Sequence, residues 1–259
     1  MWKQNQSPYS IGIVKDKDLL KLLLFTSSLQ CYPMKIILVH PSGNKDLKVP
    51  PLGLAYITAM LKKNNIETQI IDLNVEKINF SKHLSDQKPD IVGISTIVTN
   101  ARHALQLAKE TKKVLPNSFV VMGGPYASMM KSRLLCKHKE VDAVLVGEAE
   151  YSFLELAKRL QNHQKIESVD GLIFWDKNKI KSNKTPKPIS PLDKIPVPAR
   201  EELKMDLYNE NTGVIFTSRG CPQQCIFCSR PVFGRTWRGH SSDYVLKEIS
   251  QLIDDYGIS

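Results

Sequence analysis

The sequence predicts an α/β fold: a doubly wound parallel sheet, a proline-rich connector, then one further strand–helix unit. Three observations predict it. Short apolar runs alternate with stretches of helical periodicity from Lys35 to Leu160. Those runs are continuous rather than alternating, as in strands buried on both faces. Glycine, proline and polar residues close each run where a loop is needed.

The elements follow in order. Met34 opens the first apolar run and reads as the domain start, which leaves residues 1–33 as an N-terminal extension. Lys35–His40 reads as the first strand, ended by Pro41, and Leu52–Lys63 as a helix with Leu54, Ala55, Ile57 and Leu61 on one face. Thr68–Asp72 and Asp90–Ser95 are the next strands, and Ala101–Leu115 is a helix. Ser118–Met122 is closed by Gly123-Gly124-Pro125, and Asp142–Val146 by Gly147-Glu148, before a helix over Ala149–Leu160. Five such units suit a flavodoxin-like doubly wound domain, assigned to residues 34–165.

Asp170–Trp175 and Ile180–Ser182 flank Asp176-Lys177-Asn178-Lys179 as a small hairpin. Five prolines between Thr185 and Arg200 make an extended, semi-rigid connector, so residues 166–200 separate the first domain from residues 201–259. Gly213–Ser218 then reads as a buried strand and Ser242–Tyr256 as a helix. Ser241 or Ser242 caps it, and Gly257 lies just past its end. One strand and one helix cannot bury each other's apolar faces, so further units of the same kind are expected to follow.

Bulk properties narrow the function. The formal charge is +10, but the lysines are scattered rather than striped with aromatics, which favours a solvated basic surface over a nucleic-acid face. No apolar run approaches the ~20 residues that span a bilayer; Leu19 to Phe25 is short and broken by Lys21. Cys31, Cys136, Cys221, Cys225 and Cys228 are odd in number, and three crowd together. That pattern points to a reducing compartment, hence the cytoplasm, and to a metal or cluster rather than a disulfide framework. Isolated Cys31 and Cys136 read as small apolar residues.

Cys221, Cys225 and Cys228 form C-x3-C-x2-C. Three thiolates this close can wrap one inorganic centre, and thiolates are the usual ligands of iron–sulfur clusters. A four-iron cubane held by three cysteines leaves one iron open to a small molecule. Zinc held by these cysteines with His240 competes with this reading, and a redox pair at Cys225 and Cys228 is a weaker rival.

The spacing, with Phe227 just before the last cysteine, resembles the signature of the radical S-adenosylmethionine (SAM) superfamily. Thr217-Ser218-Arg219-Gly220-Cys221-Pro222 and Gly234-Arg235-Thr236-Trp237-Arg238 resemble the form found in members with an N-terminal B12 domain. The resemblance implies that Cys221, Cys225 and Cys228 ligate a 4Fe-4S cluster and that Phe227 packs near the SAM adenine. It implies that SAM binds the open iron and is cleaved reductively, with a flavodoxin- or ferredoxin-type electron donor. It also implies that residues 201–259 open a radical SAM (β/α) barrel that is cut short.

The upstream domain carries a second resemblance. Open parallel sheets bind ligands outside the carboxyl ends of their strands. No G-x-G-x-x-G follows the first strand, so a dinucleotide fingerprint is absent. Pro50-Pro51-Leu52-Gly53-Leu54, Ser95-Thr96, Gly123-Gly124-Pro125 and Gly147-Glu148 resemble the cobalamin-binding domain of B12-dependent radical SAM proteins, from about Met34 to Ala199. Leu52, Gly53, Ser95, Thr96, Gly123, Gly124, Pro125, Gly147 and Glu148 are the implied cobalamin contacts. The motif D-x-H-x-x-G, whose histidine ligates cobalt in many B12 domains, is missing: Leu38 stands two residues before His40. Base-off cobalamin without a histidine ligand is therefore expected, and His40 reads as a strand-end polar residue. The competing reading is a scaffold of this shape that has lost cobalamin.

The activity implied is methyl transfer to an unactivated carbon of a small molecule, with ring formation and oxidative rearrangement as neighbouring chemistries. From another class comes a non-catalytic cobalamin-binding fragment.

Overall fold

The computed structural model describes residues 34–43, 48–208, 213–230 and 232–258. The N-terminal extension expected over residues 1–33, with Cys31, lies outside the described residues. Strand β1 (Ile36–His40) lies between β2 (Thr68–Asp72) and β3 (Ile91–Ser95), parallel to both. Strands β4 (Phe119–Gly123) and β5 (Ala143–Leu145) continue the sheet in parallel. The order 2-1-3-4-5 is that of the flavodoxin type. The hairpin β6 (Leu172–Asp176) and β7 (Lys179–Ser182) does not stand apart, because β6 pairs antiparallel with β5 and makes the sheet seven-stranded.

Successive side chains of a strand point to opposite faces, so each parallel strand feeds two apolar layers. Ile36 and Leu38 pack with α1 (Leu52–Lys62) and α6 (Glu150–Gln161). Ile37 and Val39 pack with α2 (Phe80–Gln87), α3 (Ala101–Val114), α4 (Gly124–Met130) and α5 (Ser132–Lys137). Helices α2, α4 and α5 are absent from the sequence reading. Helix α2 buries only Phe80 and Leu84, too short a pattern to stand out, and gains its start from Asn79, whose side chain accepts from the Lys82 N–H at 3.0 Å. Gly124-Pro125 reads as a strand-closing turn, but proline in the first turn is pre-set for a helix start, and α4 begins there. Cys136, expected inside, is exposed on α5.

One expectation beyond the sheet needs correction. Residues 213–217 are not a strand. Only Ser218–Arg219 (β8) pairs, antiparallel with Arg238–Gly239 (β9), so the opening strand of a barrel is not formed. A strand needs a neighbour for its backbone groups. Here the Val214 carbonyl accepts from the Arg200 guanidinium at 2.8 Å, and the Thr217 carbonyl accepts from the His240 N–H at 2.9 Å. The semi-rigid connector also contributes to the packing. Ile189, Leu192 and Ile195, set between its prolines, bury against Leu52 and Tyr56, with Val214 and Phe216 packed alongside.

Helix α7 (Ser242–Tyr256) forms as expected. Ser241 caps it, accepting from the Tyr244 N–H at 3.2 Å, and Gly257 ends it with φ 63°. It docks through Leu252 and a buried ion pair between Glu248 and Arg200, whereas the apolar Leu246 and Ile253 stay exposed. Among the described residues no helix is long and apolar enough to cross a membrane.

Gly93 in the central strand β3 tests the packing. A Cβ there would lie 2.6 Å from Leu38 Cδ2 and 3.0 Å from Phe153 Cε2. Gly93→Val is expected to destabilise by about 3 kcal/mol through overpacking, read as a lower urea midpoint at unchanged slope.

Candidate functional site

A cavity of about 590 Å³ opens outside the carboxyl ends of β1, β3 and β4. Helix α1 follows β1 onto one face of the sheet and α3 follows β3 onto the other, so the cavity sits where the winding reverses. Leu52, Gly53, Ser95, Gly123, Gly124, Pro125, Gly147 and Glu148 all line it. Backbone shape explains the glycines. Gly124 has φ 89°, and a Cβ on it would meet the Thr96 carbonyl at 2.7 Å. Gly53 is different: among the described residues a Cβ there meets nothing within 4 Å, so a side chain would point into open space.

Thr96, expected with them, does not line the cavity. It is fully buried; its hydroxyl donates to the Gly123 carbonyl at 2.7 Å and accepts from the Ala127 N–H at 3.2 Å. Thr96 therefore fixes the turn from β4 into α4 and shapes the cavity from behind.

His40 lines the cavity at the end of β1. Its Nδ1 is enclosed and has no hydrogen-bond partner among the described residues. Burial holds the imidazole below its usual range, with the neighbouring Asp72 pulling the other way. Asp72 is buried, and that burial raises its carboxyl above the usual range. One Asp72 oxygen accepts from the Asn74 N–H at 2.9 Å and the other from the Tyr208 hydroxyl at 2.9 Å.

The opposite wall comes from the segment that carries the cysteines: Phe216, Arg219, Gly220, Cys221, Arg230 and Phe233 line the same cavity. Four buried charges join this wall to the sheet. Glu148 makes a two-point ion pair with Arg238, its Oε2 accepting from Nη1 at 3.0 Å, and it also accepts from the Ile189 N–H at 3.0 Å. Arg219 Nη1 lies 2.7 Å from Glu150 Oε1 and 3.7 Å from Glu148 Oε2. The Arg219 guanidinium sits over the rings of Tyr56 and Phe233, 5.0 and 5.2 Å from their centroids. Glu148 is thus spoken for inside the protein, although it borders the cavity.

Cys221 is half-buried, and Cys225 and Cys228 are exposed; all three thiols are free. Phe227 is exposed on the loop and is not part of the cavity wall. Gly220 turns the chain into the loop with φ 82°; a Cβ on it would lie 2.0 Å from the Thr236 carbonyl. Arg230 Nη1 donates to the carbonyls of Cys221, at 2.9 Å, and Gln223. Among the described residues no three or more His, Cys, Asp or Glu side chains are gathered to hold a metal ion. The donor set, three unpaired thiols in eight residues, fits an iron–sulfur cluster in chemistry, with the thiols standing apart in this structure. His240 is not among them: its Nδ1 meets Asp193 Oδ1 at 2.9 Å and its ring stacks on Tyr244. The zinc arrangement that needs His240 is not assembled.

Comparison with known proteins agrees with this geometry. Residues 43–157 match the model of the B12 binding domain. An uncharacterized methyltransferase of Pyrococcus horikoshii is 38% identical over 239 residues, covering 87% of this chain and 52% of the relative. The chain thus spans about half the length of the curated relatives it matches. A cobalamin-dependent SAM radical enzyme, OxsB, solved with aqua-cobalamin and SAM bound, shares the fold with a TM-score of 0.74 at 22% identity, over 88% of this chain and 33% of that one. The radical SAM methyltransferase TsrM of Kitasatospora setae, solved with cobalamin and a 4Fe-4S cluster, gives 0.68 at 18% identity, over 88% and 47%.

The buried charges yield a measurable expectation. Glu148→Ala strands Arg238 in a buried setting and is expected to cost about 3–5 kcal/mol in urea unfolding. Glu155→Gln breaks only the partly exposed pair with Arg159 on α6 and is expected to cost about 0.5 kcal/mol or less.

Proposed function

We propose that this chain is the cofactor-binding part of a cobalamin-dependent radical SAM enzyme that transfers a methyl group to an unactivated carbon of a small molecule. One observation carries the reading: a single cavity has the glycine-rich sheet edge as one wall and the start of the cysteine loop as the other. A cofactor held by the first wall would face a cluster held by the second.

In this reading Cys221, Cys225 and Cys228 hold a 4Fe-4S cluster whose fourth iron takes SAM. Phe227, exposed on the same loop, lies beside the SAM adenine. Leu52, Gly53, Ser95, Gly123, Gly124, Pro125 and Gly147 receive cobalamin, base-off and without a histidine on cobalt, while Thr96 and Glu148 support the site from inside the protein. When bound, these groups supply the radical and methyl chemistry. The chain's own part is to bind and orient them and to keep water from the space between. A flavodoxin- or ferredoxin-type donor reduces the cluster, and the free thiols suit the reducing cytoplasm.

Anaerobic reconstitution with iron, sulfide and hydroxocobalamin tests the reading. Uptake of about four irons, with a broad visible thiolate-to-iron band lost in Cys225→Ala, is the expected result. Zinc retention without iron uptake would overturn it, and cobalamin uptake without iron would leave a corrinoid-binding module. Gly53→Leu puts a side chain into the open space and is expected to weaken hydroxocobalamin binding at least about tenfold, as displacement of a well-fitted ligand predicts.

A further inference from the structure

His40 is a cavity-lining residue that the cysteine and glycine motifs do not account for. It stands at the carboxyl end of β1 and lines the cavity, while Nδ1 is shut into the protein with no hydrogen-bond partner among the described residues. A neutral imidazole carries one proton, on one nitrogen or the other. On Nδ1 that proton would be a buried N–H without an acceptor, the rarer and costlier defect. On Nε2 it reaches the free edge of the ring. Asp72, paired with His40 across the β1–β2 register, does not change this choice, since Nδ1 makes no hydrogen bond to it.

We propose that His40 presents an Nε2–H donor to an acceptor oxygen of the corrinoid in this cavity and does not ligate cobalt. This rests on the reading of the cavity as a cobalamin site and deepens it. Ligation through Nε2 would require moving the proton to Nδ1, and metal-bound histidines almost always give that second N–H to a carboxylate, carbonyl or water. Among the described residues no group accepts from Nδ1. Burial, which keeps the ring neutral, is consistent with a single fixed donor. The acceptor is either a carboxamide oxygen at the corrin rim or the phosphate of the nucleotide loop.

The test uses the full chain and hydroxocobalamin. His40→Leu removes the donor and is expected to weaken binding about tenfold, while His40→Gln, whose amide N–H can replace it, stays within about threefold. Circular dichroism and melting temperature check that both variants fold. Repeating the titration with aquocobinamide, which lacks the nucleotide loop, locates the acceptor: a penalty that persists assigns it to the corrin rim, and one that vanishes assigns it to the phosphate. A second measurement needs no substitution. The wild-type chain is labelled with ¹⁵N-histidine, loaded and reduced to cobalt(II), and its electron paramagnetic resonance is expected to match that of the unlabelled chain. Wild-type affinity in His40→Leu, or a change of nitrogen splitting on labelling, overturns the proposal. Failure of the wild-type chain to bind hydroxocobalamin defeats the cobalamin reading itself and is seen before any variant is made.

Discussion

The cysteine segment is fastened to the sheet by the buried quartet of Glu148, Glu150, Arg219 and Arg238, and the placement of the cavity depends on it. Arg219 and Arg238 face each other directly in the β8–β9 pair. Two like charges side by side in a buried setting repel, so the pairing persists only if acids lie between them. Glu148 and Glu150 supply that charge from the end of β5 and the first turn of α6, where the helix dipole also favours acids. Buried pairs of this kind gain little over apolar packing, yet losing one partner is costly. Their contribution is geometric, since these ion pairs tie β8 and β9 to the segment that runs from β5 into α6.

The cysteine loop is the excursion between those two strands, so the quartet holds both its ends. Gly220 at the entry can only be glycine, and Arg230 gathers the carbonyls of Cys221 and Gln223. Farther out, Cys225, Phe227 and Cys228 stand in solvent. A loop fixed at its base and exposed at its tip suits thiols whose final spacing is dictated by what they hold, because an inorganic centre imposes its own geometry on its ligands.

How far the sequence foretold this differs by region. The five parallel strands and helices α1, α3, α6 and α7 were legible because each carries its own apolar period and ends at a glycine, proline or cap. Most of the cavity's floor was legible for the related reason that ligand contacts in such sheets lie at strand ends. Helices α2, α4 and α5 are too short to show a period. Residues 213–217 have strand composition, but composition cannot supply the neighbour that a strand needs; Arg200 and His240 take those backbone groups instead. The connector's prolines concealed Ile189, Leu192 and Ile195, whose burial is decided by the distant Leu52 and Tyr56. Least legible was the quartet, because nothing local marks Arg219 or Arg238 as the partner of an acid some 70 to 90 positions earlier.

Tyr56 shows how these distant ties become one structure. It is fully buried on α1, with its ring stacked on Phe216 and lying under the Arg219 guanidinium, while its hydroxyl reaches Glu248 at 3.4 Å. Burial first, then the Glu248 charge, pushes its phenol far above the usual range, so the hydroxyl stays a donor at any physiological pH. A single side chain of the sheet domain therefore touches both buried charge systems: the quartet that anchors the cysteine loop and the Arg200–Glu248 pair that anchors α7. The two walls of the cavity consequently differ in kind. The sheet wall is fixed by backbone hydrogen bonds and glycine geometry, whereas the loop wall is held by side chains that meet on Tyr56. Any occupant reaching across meets backbone on the sheet side and side chains on the loop side.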